Sequence, residues 1–462
     1  MTNLLDLRDP RPVHFMGIAG AGMSALAELL VRRGVPVTGC DTSIAGAGDL
    51  QALGIPLVSG HDPSHLAGVR ALVMTSAVPR QHPELEEARR LGVPVVRRAE
   101  ALGAVVNHGR VVAIAGTHGK TTTTVMTTEA LSAAALAPTG IAGGRVGAWG
   151  GNLRFGGDDV FVVEADEYDR SFLALTPRVA VITNVEADHL DIYRDLDDIR
   201  ATFVQFASPA HTVVLCDDDP GAASLALTGG AEVLRYGLTS PAARVRGEVT
   251  VLTDGRTALA VAFDGECLGD VMLRVPGLHN ARNALAAVCA GLALGAAIEA
   301  LRPGLEAFAG VERRFQRLGS AAGVDVVDDY AHHPTEVTAT LAAARSAFPG
   351  RRIVAAFQPH LFTRTRDFAV EFGQSLVAAD ACFLADIYPA REQPIPGVSS
   401  QLIANAMARA GRAPAWMGAR SDLAPALASH VRDGDVVLTL GAGDITRTGP
   451  ELLARLTSRT GA

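Results

Sequence analysis

Lysine is almost missing from this 462-residue chain: of its 41 basic residues, all but Lys120 are arginine. Any need for a compact, flexible ammonium therefore falls on one position, because a planar guanidinium presents a different geometry to a phosphate. Cysteine is scarce as well. Cys40, Cys216, Cys267, Cys289 and Cys382 lie far apart with no Cys-x-x-Cys pair, which excludes a disulfide-stapled scaffold and reads as reduced, mostly buried thiols. No apolar run reaches membrane length: the longest, 284–298, falls short of the roughly 18 to 20 residues that span a bilayer. Met1 to Pro12 carries Asp6, Arg8, Asp9 and Arg11 in place of the apolar segment of a signal peptide, so a cytoplasmic location without membrane insertion is expected. Positive charge is not in excess either. A net charge of -8 argues against nucleic acid as the main partner, and a small, locally captured ligand is the better expectation.

What is present is a rhythm. Short apolar runs punctuated by glycine alternate with helical patterns: 13–16, 35–38, 71–75, 111–115, 160–163, 179–183, 353–357 and 436–440. That order predicts an α/β fold with parallel sheets and with ligand-binding turns at the C-terminal strand ends. Polar breaks near Asn107-His108-Gly109 and Gly310 predict three domains. These are an N-terminal Rossmann-like domain (1–108), a central P-loop ATPase-type domain with a mixed sheet (109–310) and a C-terminal Rossmann-like domain (311–462). The segment from about 217 to 275 reads as more strand-like and irregular.

Three regions carry residues suited to chemistry. The run Val111 to Thr122 leads a strand into Gly116, Thr117, His118, Gly119, Lys120, Thr121 and Thr122. Glycines there let backbone N–H groups close around phosphate oxygens at a helix N-terminus, with the lysine at the β/γ-phosphates and the hydroxyl at Mg²⁺. The spacing is G-x-x-G-K-T, with Ile114 where the first glycine of the usual loop stands. Near the N-terminus, Gly17, Gly20, Gly22, Met23 and Ser24 follow a strand, and Asp41 closes the next. That spacing leaves a nicotinamide or flavin cofactor, another nucleotide diphosphate and a structural turn all open. Glu164, Asp166 and Glu167, then Asn184, Glu186, Asp188 and His189, follow central strands, as carboxylates bridging ATP-bound magnesium should.

Further on, His279, Asn280 and Asn283 open a helix, where the asparagines could cap it or bond an adenine edge. Arg313 and Arg314 read equally as surface charges or a phosphate clamp. Asp328, Asp329, Tyr330, His332 and His333 suggest a metal, but no neighbouring Cys or His completes a zinc set. With Gln358, His360, Arg364 and the turn Leu440 to Asp444, they fit better as groups that position a substrate carboxylate and amine. A Rossmann oxidoreductase would leave Gly116 to Thr122 unexplained, and a non-catalytic regulator would leave the acids and His189 without a task.

Taken together and in order, these motifs resemble the Mur ligase family over nearly the whole chain, and the runs Met16 to Ser24 and Glu164 to Asp169 resemble its alanine-adding branch. The resemblance implies an ATP- and Mg²⁺-dependent ligase whose substrates are UDP-N-acetylmuramate and L-alanine. It implies that Gly20, Gly22, Met23, Ser24, Asp41, Thr75 and Ser76 bind the UDP-sugar, and that Gly116 to Thr122 hold the ATP phosphates. Thr121, Glu164 and His189 are the implied magnesium ligands, and His279, Asn280, Asn283, Arg314 and Asp329 the remaining nucleotide contacts. Tyr330, His332, His360 and Arg364 are the implied alanine site, with Lys120, Glu164, His189 and His332 as catalytic groups. Two departures stand out: no second lysine exists to carry the carbamate of several sister ligases, and Leu361 replaces an arginine found in some relatives.

Overall fold

The computed structural model describes residues 3–75, 78–79, 81–190, 192–227, 229–251 and 256–460. It divides into two compact units, one of Met1–Glu248, Leu259–Val271 and Arg282–Phe308, the other of Val249–Ala258, Met272–Ala281 and Ala309–Ala462. Among the described residues there are three sheets, and helices alternate with strands in each. The chain is therefore α/β, as its apolar rhythm predicts.

The first sheet is parallel, with strands in the order Leu57–Ser59, Val37–Asp41, Val13–Met16, Ala71–Met74 and Val95–Arg97. Chain direction across the sheet reverses beside Val13–Met16, so the crevice of this Rossmann-like arrangement opens where Gly17 to Gly22 leave that strand. The second strand begins later than the apolar run 35–38 suggests. The N–H of Val35 donates to Leu30 O at 2.9 Å and closes the helix Ala21–Arg32, leaving Pro36 O to receive the N–H of Val13 at 2.9 Å.

The central sheet places Thr212–Cys216, Val179–Ile182, Arg110–Ala115, Val160–Glu164 and Thr139–Val146 side by side and parallel, with Gly151–Arg154 antiparallel at one edge. The strands Glu232–Gly237, Val245–Val251, Thr257–Phe263 and Glu266–Leu273 continue the other edge. Val111 to Ala115 are wholly buried, the pattern of a parallel strand covered on both faces. The helix that follows, Lys120–Ala133, contains six threonines and has little intrinsic helix preference. Burial of Thr121 to Thr128 makes it helical, and Thr128 Oγ1 donates back to Thr124 O at 2.7 Å.

In the second unit six strands run Gln316–Ala321, Val324–Asp329, Val436–Leu440, Ile353–Phe357, Ala381–Ala385 and Trp416–Gly418, all parallel except the first. Side chains alternate between two cores: Ile353, Ala355 and Phe357 enter one, Val354 and Ala356 the other. Both faces are covered, and the polar residues of this unit's motifs collect at the strand ends.

Candidate active site

The strand Arg110–Ala115 ends in Gly116, whose φ of 136° is open to glycine, and a Cβ there would stand 2.0 Å from Thr183 Oγ1. Gly119, at φ 80°, caps the helix Lys120–Ala133 and faces Asn283, whose Oδ1 lies 2.7 Å from where a Cβ would be. Between them His118 is fixed by its backbone: its N–H donates to Asn184 Oδ1 at 2.7 Å, and its carbonyl accepts from Thr183 Oγ1 at 2.7 Å. Thr117 Oγ1 accepts the N–H of Glu186 at 2.9 Å. The loop is thus built to present N–H groups at a helix N-terminus. Lys120 folds over it, donating to Gly116 O at 2.7 Å and to both oxygens of Glu167 at 2.9 and 2.8 Å. Burial opposes the ammonium charge, yet Glu167, Asp166 and Glu164 outweigh it and hold the pKa above the ordinary lysine value. Glu167 itself is pushed up to about 7 by burial, with Lys120 pulling the other way.

Glu164 ends the strand Val160–Glu164 next to the loop. One carboxylate oxygen accepts from Thr121 Oγ1 at 3.1 Å and the other from the N–H of Gly143 at 2.6 Å. A hydroxyl and a carboxylate side by side at the helix N-terminus are hard oxygen donors of the kind magnesium takes beside phosphates. His189 stands on the far side of Glu167, its Nε2 3.8 Å from Glu167 Oε1 and from Asp188 Oδ2, with Tyr168 edge-on at 5.1 Å. Asp169, Arg170 and His189 all adopt positive φ, a conformation that side-chain-bearing residues hold only when their surroundings impose it. Arg170 is held by Asp198 at 2.8 Å and lies over the Tyr193 ring.

At the first sheet, the N–H groups of Gly17 and Ile18 donate to Cys40 O at 2.8 and 3.1 Å, and that of Ala19 donates to Asp41 Oδ2 at 3.0 Å. Asp41 therefore shapes the glycine turn, and Ser24 Oγ donates to Ala21 O at 2.9 Å. A cleft of about 480 Å³ opens on the turn, lined by Gly20, Gly22, Met23, Asp41 and Thr75 on one side and reaching Gly143, Glu164 and Asp166 on the other. Arg98 crosses it, 4.0 Å from Asp166. Ser76 lies outside the described residues.

The helix Leu278–Ala293 carries His279, Asn280 and Asn283. Asn280 Nδ2 donates to Pro276 O at 2.7 Å, which ties the helix start to the segment before it, whereas Asn283 faces Gly119. In the second unit Arg313 and Arg314 both lie over the Tyr330 ring, at 4.8 and 4.9 Å. Asp329 accepts backbone N–H groups on both oxygens, from Phe315 and Ala331 at 2.8 Å each, and burial raises it to about 6 against the pull of Arg314. His332 bonds Glu336 at 3.0 Å, and a row of rings continues from Tyr330 through His332 and His360 to Tyr388. Buried Arg364 reaches His360 Nδ1 at 3.5 Å. Leu361 has a φ of 70° and donates its N–H to Tyr388 O at 3.0 Å, so this position serves the bend before the helix Phe362–Leu376.

The geometry adds Arg98, Gly143, Glu336 and Tyr388 to the residues singled out by sequence, and gives Glu167 a task of its own as the partner of Lys120. Arg98 had no signal in a chain whose cations are nearly all arginine.

Three family profiles match the chain: "Mur ligase family, catalytic domain" at residues 12–110, "Mur ligase middle domain" at 114–291 and "Mur ligase, glutamate ligase domain" at 313–443. The chain is 47% identical over 461 residues to the UDP-N-acetylmuramate–L-alanine ligase of Cutibacterium acnes, covering 98% of each chain. It is 46% identical to that of Salinibacter ruber, covering 95% of this chain and 93% of that one. Among solved structures it is similar to the UDP-N-acetylmuramate–alanine ligase of Thermotoga maritima, with a TM-score of 0.83 at 28% identity, covering 97% of this chain and 99% of that one. The murein peptide ligase of Psychrobacter arcticus follows with a TM-score of 0.72 at 25% identity, covering 97% and 99%.

Proposed function

Because the chain belongs to the Mur ligase family, we propose that it joins L-alanine to the lactyl carboxylate of UDP-N-acetylmuramate, with ATP converted to ADP and phosphate. The observation that carries this reading is its near-full-length identity to alanine-adding relatives, with a phosphate loop whose only lysine is held at the helix N-terminus. The segments 1–108, 109–310 and 311–462 then serve the UDP-sugar, ATP and the amino acid. Among the described residues no helix is long and apolar enough to cross a membrane. Work on water-soluble precursors in the cytoplasm belongs to the same proposal.

A carboxylate is a poor acyl donor, so the γ-phosphoryl group passes first to the lactyl carboxylate and gives an acyl phosphate. The loop Gly116 to Thr122, through the N–H groups at the start of its helix, and the Lys120 ammonium bind the phosphates and oppose the charge that spreads over them, work that is mainly positioning and electrostatics. Thr121 and Glu164, with His189 beyond Glu167, are the groups that would hold magnesium; the hydroxyl and the carboxylate are the hard oxygen donors it prefers, and the imidazole is the softer member of the set. When bound, the ion neutralises charge on the phosphate oxygens. Gly20, Gly22, Met23, Ser24, Asp41, Thr75 and Arg98 bind the UDP-sugar along the cleft, which delivers its carboxylate toward Glu164. His279, Asn280 and Asn283 contact adenine, and Arg314 steadies the nucleotide. Tyr330, His332, His360 and Arg364 orient alanine, whose amine attacks the acyl carbon as a free base. The tetrahedral intermediate then expels phosphate. Phosphate release with ATP, UDP-N-acetylmuramate and single amino acids tests the reading: turnover should need all three, with alanine ahead of glycine, serine and larger residues. Turnover with ATP alone, or preference for a tripeptide over alanine, overturns it.

A further inference from the structure

Next to the glycine turn, one corner of the first sheet gathers donors from four separate segments. His14 comes from the strand Val13–Met16, Cys40 from Val37–Asp41, His65 from the short turn Pro63–Leu66 and Glu84 from the first turn of the helix Pro83–Leu91. His14 Nε2 lies 3.3 Å from Cys40 Sγ, Cys40 Sγ lies 3.4 Å from Glu84 Oε1, and His65 Nδ1 lies 2.9 Å from the same oxygen. One donor atom from each falls within 4.8 Å of all the others. Four ligands at ordinary zinc–nitrogen, –oxygen and –sulfur bond lengths stand about 3.3 to 3.6 Å apart at the corners of a tetrahedron. Three of the distances here, 3.3, 3.4 and 2.9 Å, are near that, and the others lie within 4.8 Å.

The surroundings favour a cation. Glu84 is fully buried, and its ion-pair partners are His61 and His65. His14 Nδ1 bonds Thr38 Oγ1 at 2.9 Å, which turns Nε2 toward the sulfur, the arrangement that orients a metal-binding imidazole. His61 Nδ1, 3.2 Å from Cys40 Sγ and 3.5 Å from Glu84 Oε2, waits beside the group as a further donor. Burial drives His14 down to about 4, so that its imidazole is neutral, and raises the Cys40 thiol, with Glu84 adding to the rise. A dication reverses that last preference, because thiolate and carboxylate together cancel its charge.

We propose that His14, Cys40, His65 and Glu84 form a tetrahedral site for one zinc-class divalent ion. On binding, the Cys40 S–H bond breaks, its proton leaves to solvent, and the sulfur, two imidazoles and one carboxylate fill the coordination sphere. The thiolate and imidazoles select a borderline ion over magnesium. The same Cys40 carbonyl that receives the N–H groups of Gly17 and Ile18 ties the ion to the glycine turn, so the site braces the base of the sugar-nucleotide crevice.

Cobalt(II) is the probe. Full-length, tag-free protein stripped with a chelator should bind one equivalent, with a thiolate-to-cobalt charge-transfer band and intense tetrahedral bands that zinc abolishes. The magnesium site has no thiolate and cannot produce the first signal. Cys40→Ser should remove the charge-transfer band, and His65→Asn, at a half-buried position, should weaken cobalt binding by more than about tenfold with circular dichroism unchanged. Cys267→Ser, at an exposed thiol elsewhere, should change nothing. Absence of the band in the unmutated protein, its survival in Cys40→Ser, or its loss in Cys267→Ser overturns the proposal. Should Cys40→Ser not fold, an unaltered cobalt affinity in His65→Asn overturns it as well.

Discussion

Lys120 and Glu167 meet at both carboxylate oxygens, 2.9 and 2.8 Å from the ammonium nitrogen, and the carboxylate is buried. The carboxylate holds Lys120 charged, while Lys120 only partly offsets the burial that favours the neutral form of Glu167. The stability of the fold should carry that signature. Glu167 titrates at about 7 in the folded chain against an ordinary value of 4.5. A raised acid contributes stability that is complete below its unfolded pKa and is lost as pH rises through the folded one. Thermal unfolding of the native chain and of Glu167→Gln, compared between pH 5 and 8, should therefore show the Tm difference moving in favour of the glutamine variant as pH increases. A difference that stays flat across that range would exclude the raised carboxyl.

Chemical modification gives a second test. An amine-directed reagent should find two targets, the N-terminal amine and Lys120, and MgATP should protect only the latter. Activity should fall in step with Lys120 modification. Lys120→Arg keeps the charge but not its shape, and kcat should drop by roughly 10²-fold or more. Normal turnover in that variant would reduce the lysine to a point charge.

Glu164→Ala and His189→Ala should each lower kcat by roughly two to three orders of magnitude and shift the magnesium dependence to higher concentration, with the far-ultraviolet spectrum unchanged. Wild-type turnover of the His189 variant at limiting magnesium would remove it from the ligand set.

Two glycine substitutions should fail in different ways. Gly116→Ala would drive a methyl group into Thr183 Oγ1 at a φ of 136°, so a loss of several kcal/mol of stability is expected. Gly20 has ordinary φ, and a Cβ there meets only Gly17 O, at 3.5 Å. Gly20→Ala should fold normally yet raise KM for the UDP-sugar, as should Arg98→Ala, by about tenfold. Unchanged KM in both would move the sugar nucleotide out of the cleft.

The phosphate loop and the N-terminal turn were legible because their signals are local: a buried apolar strand, glycines where backbone must approach a ligand, a helix start. The partner of Lys120 was not. Glu164, Asp166 and Glu167 look alike in sequence, and only the fold buries Glu167 under the lysine while turning Glu164 toward Thr121. His14, Cys40, His65 and Glu84 carry no spacing motif at all, since parallel pairing of two strands brings the first two together while a short turn and a helix supply the others. Val35 shows a smaller limit, where an apolar residue that reads as strand is captured by the end of a helix.

The clamp on Lys120 also bears on self-inflicted damage. An acyl phosphate reacts with any free amine it meets, and a surface studded with lysines would compete with alanine for it. This chain offers one side-chain amine, and Glu167 with its acidic neighbours keeps it as an ammonium, which has no lone pair to donate. An enzyme whose intermediate is an indiscriminate acylating agent is thereby left with no neutral side-chain amine that could form a stable amide in place of the incoming amino acid.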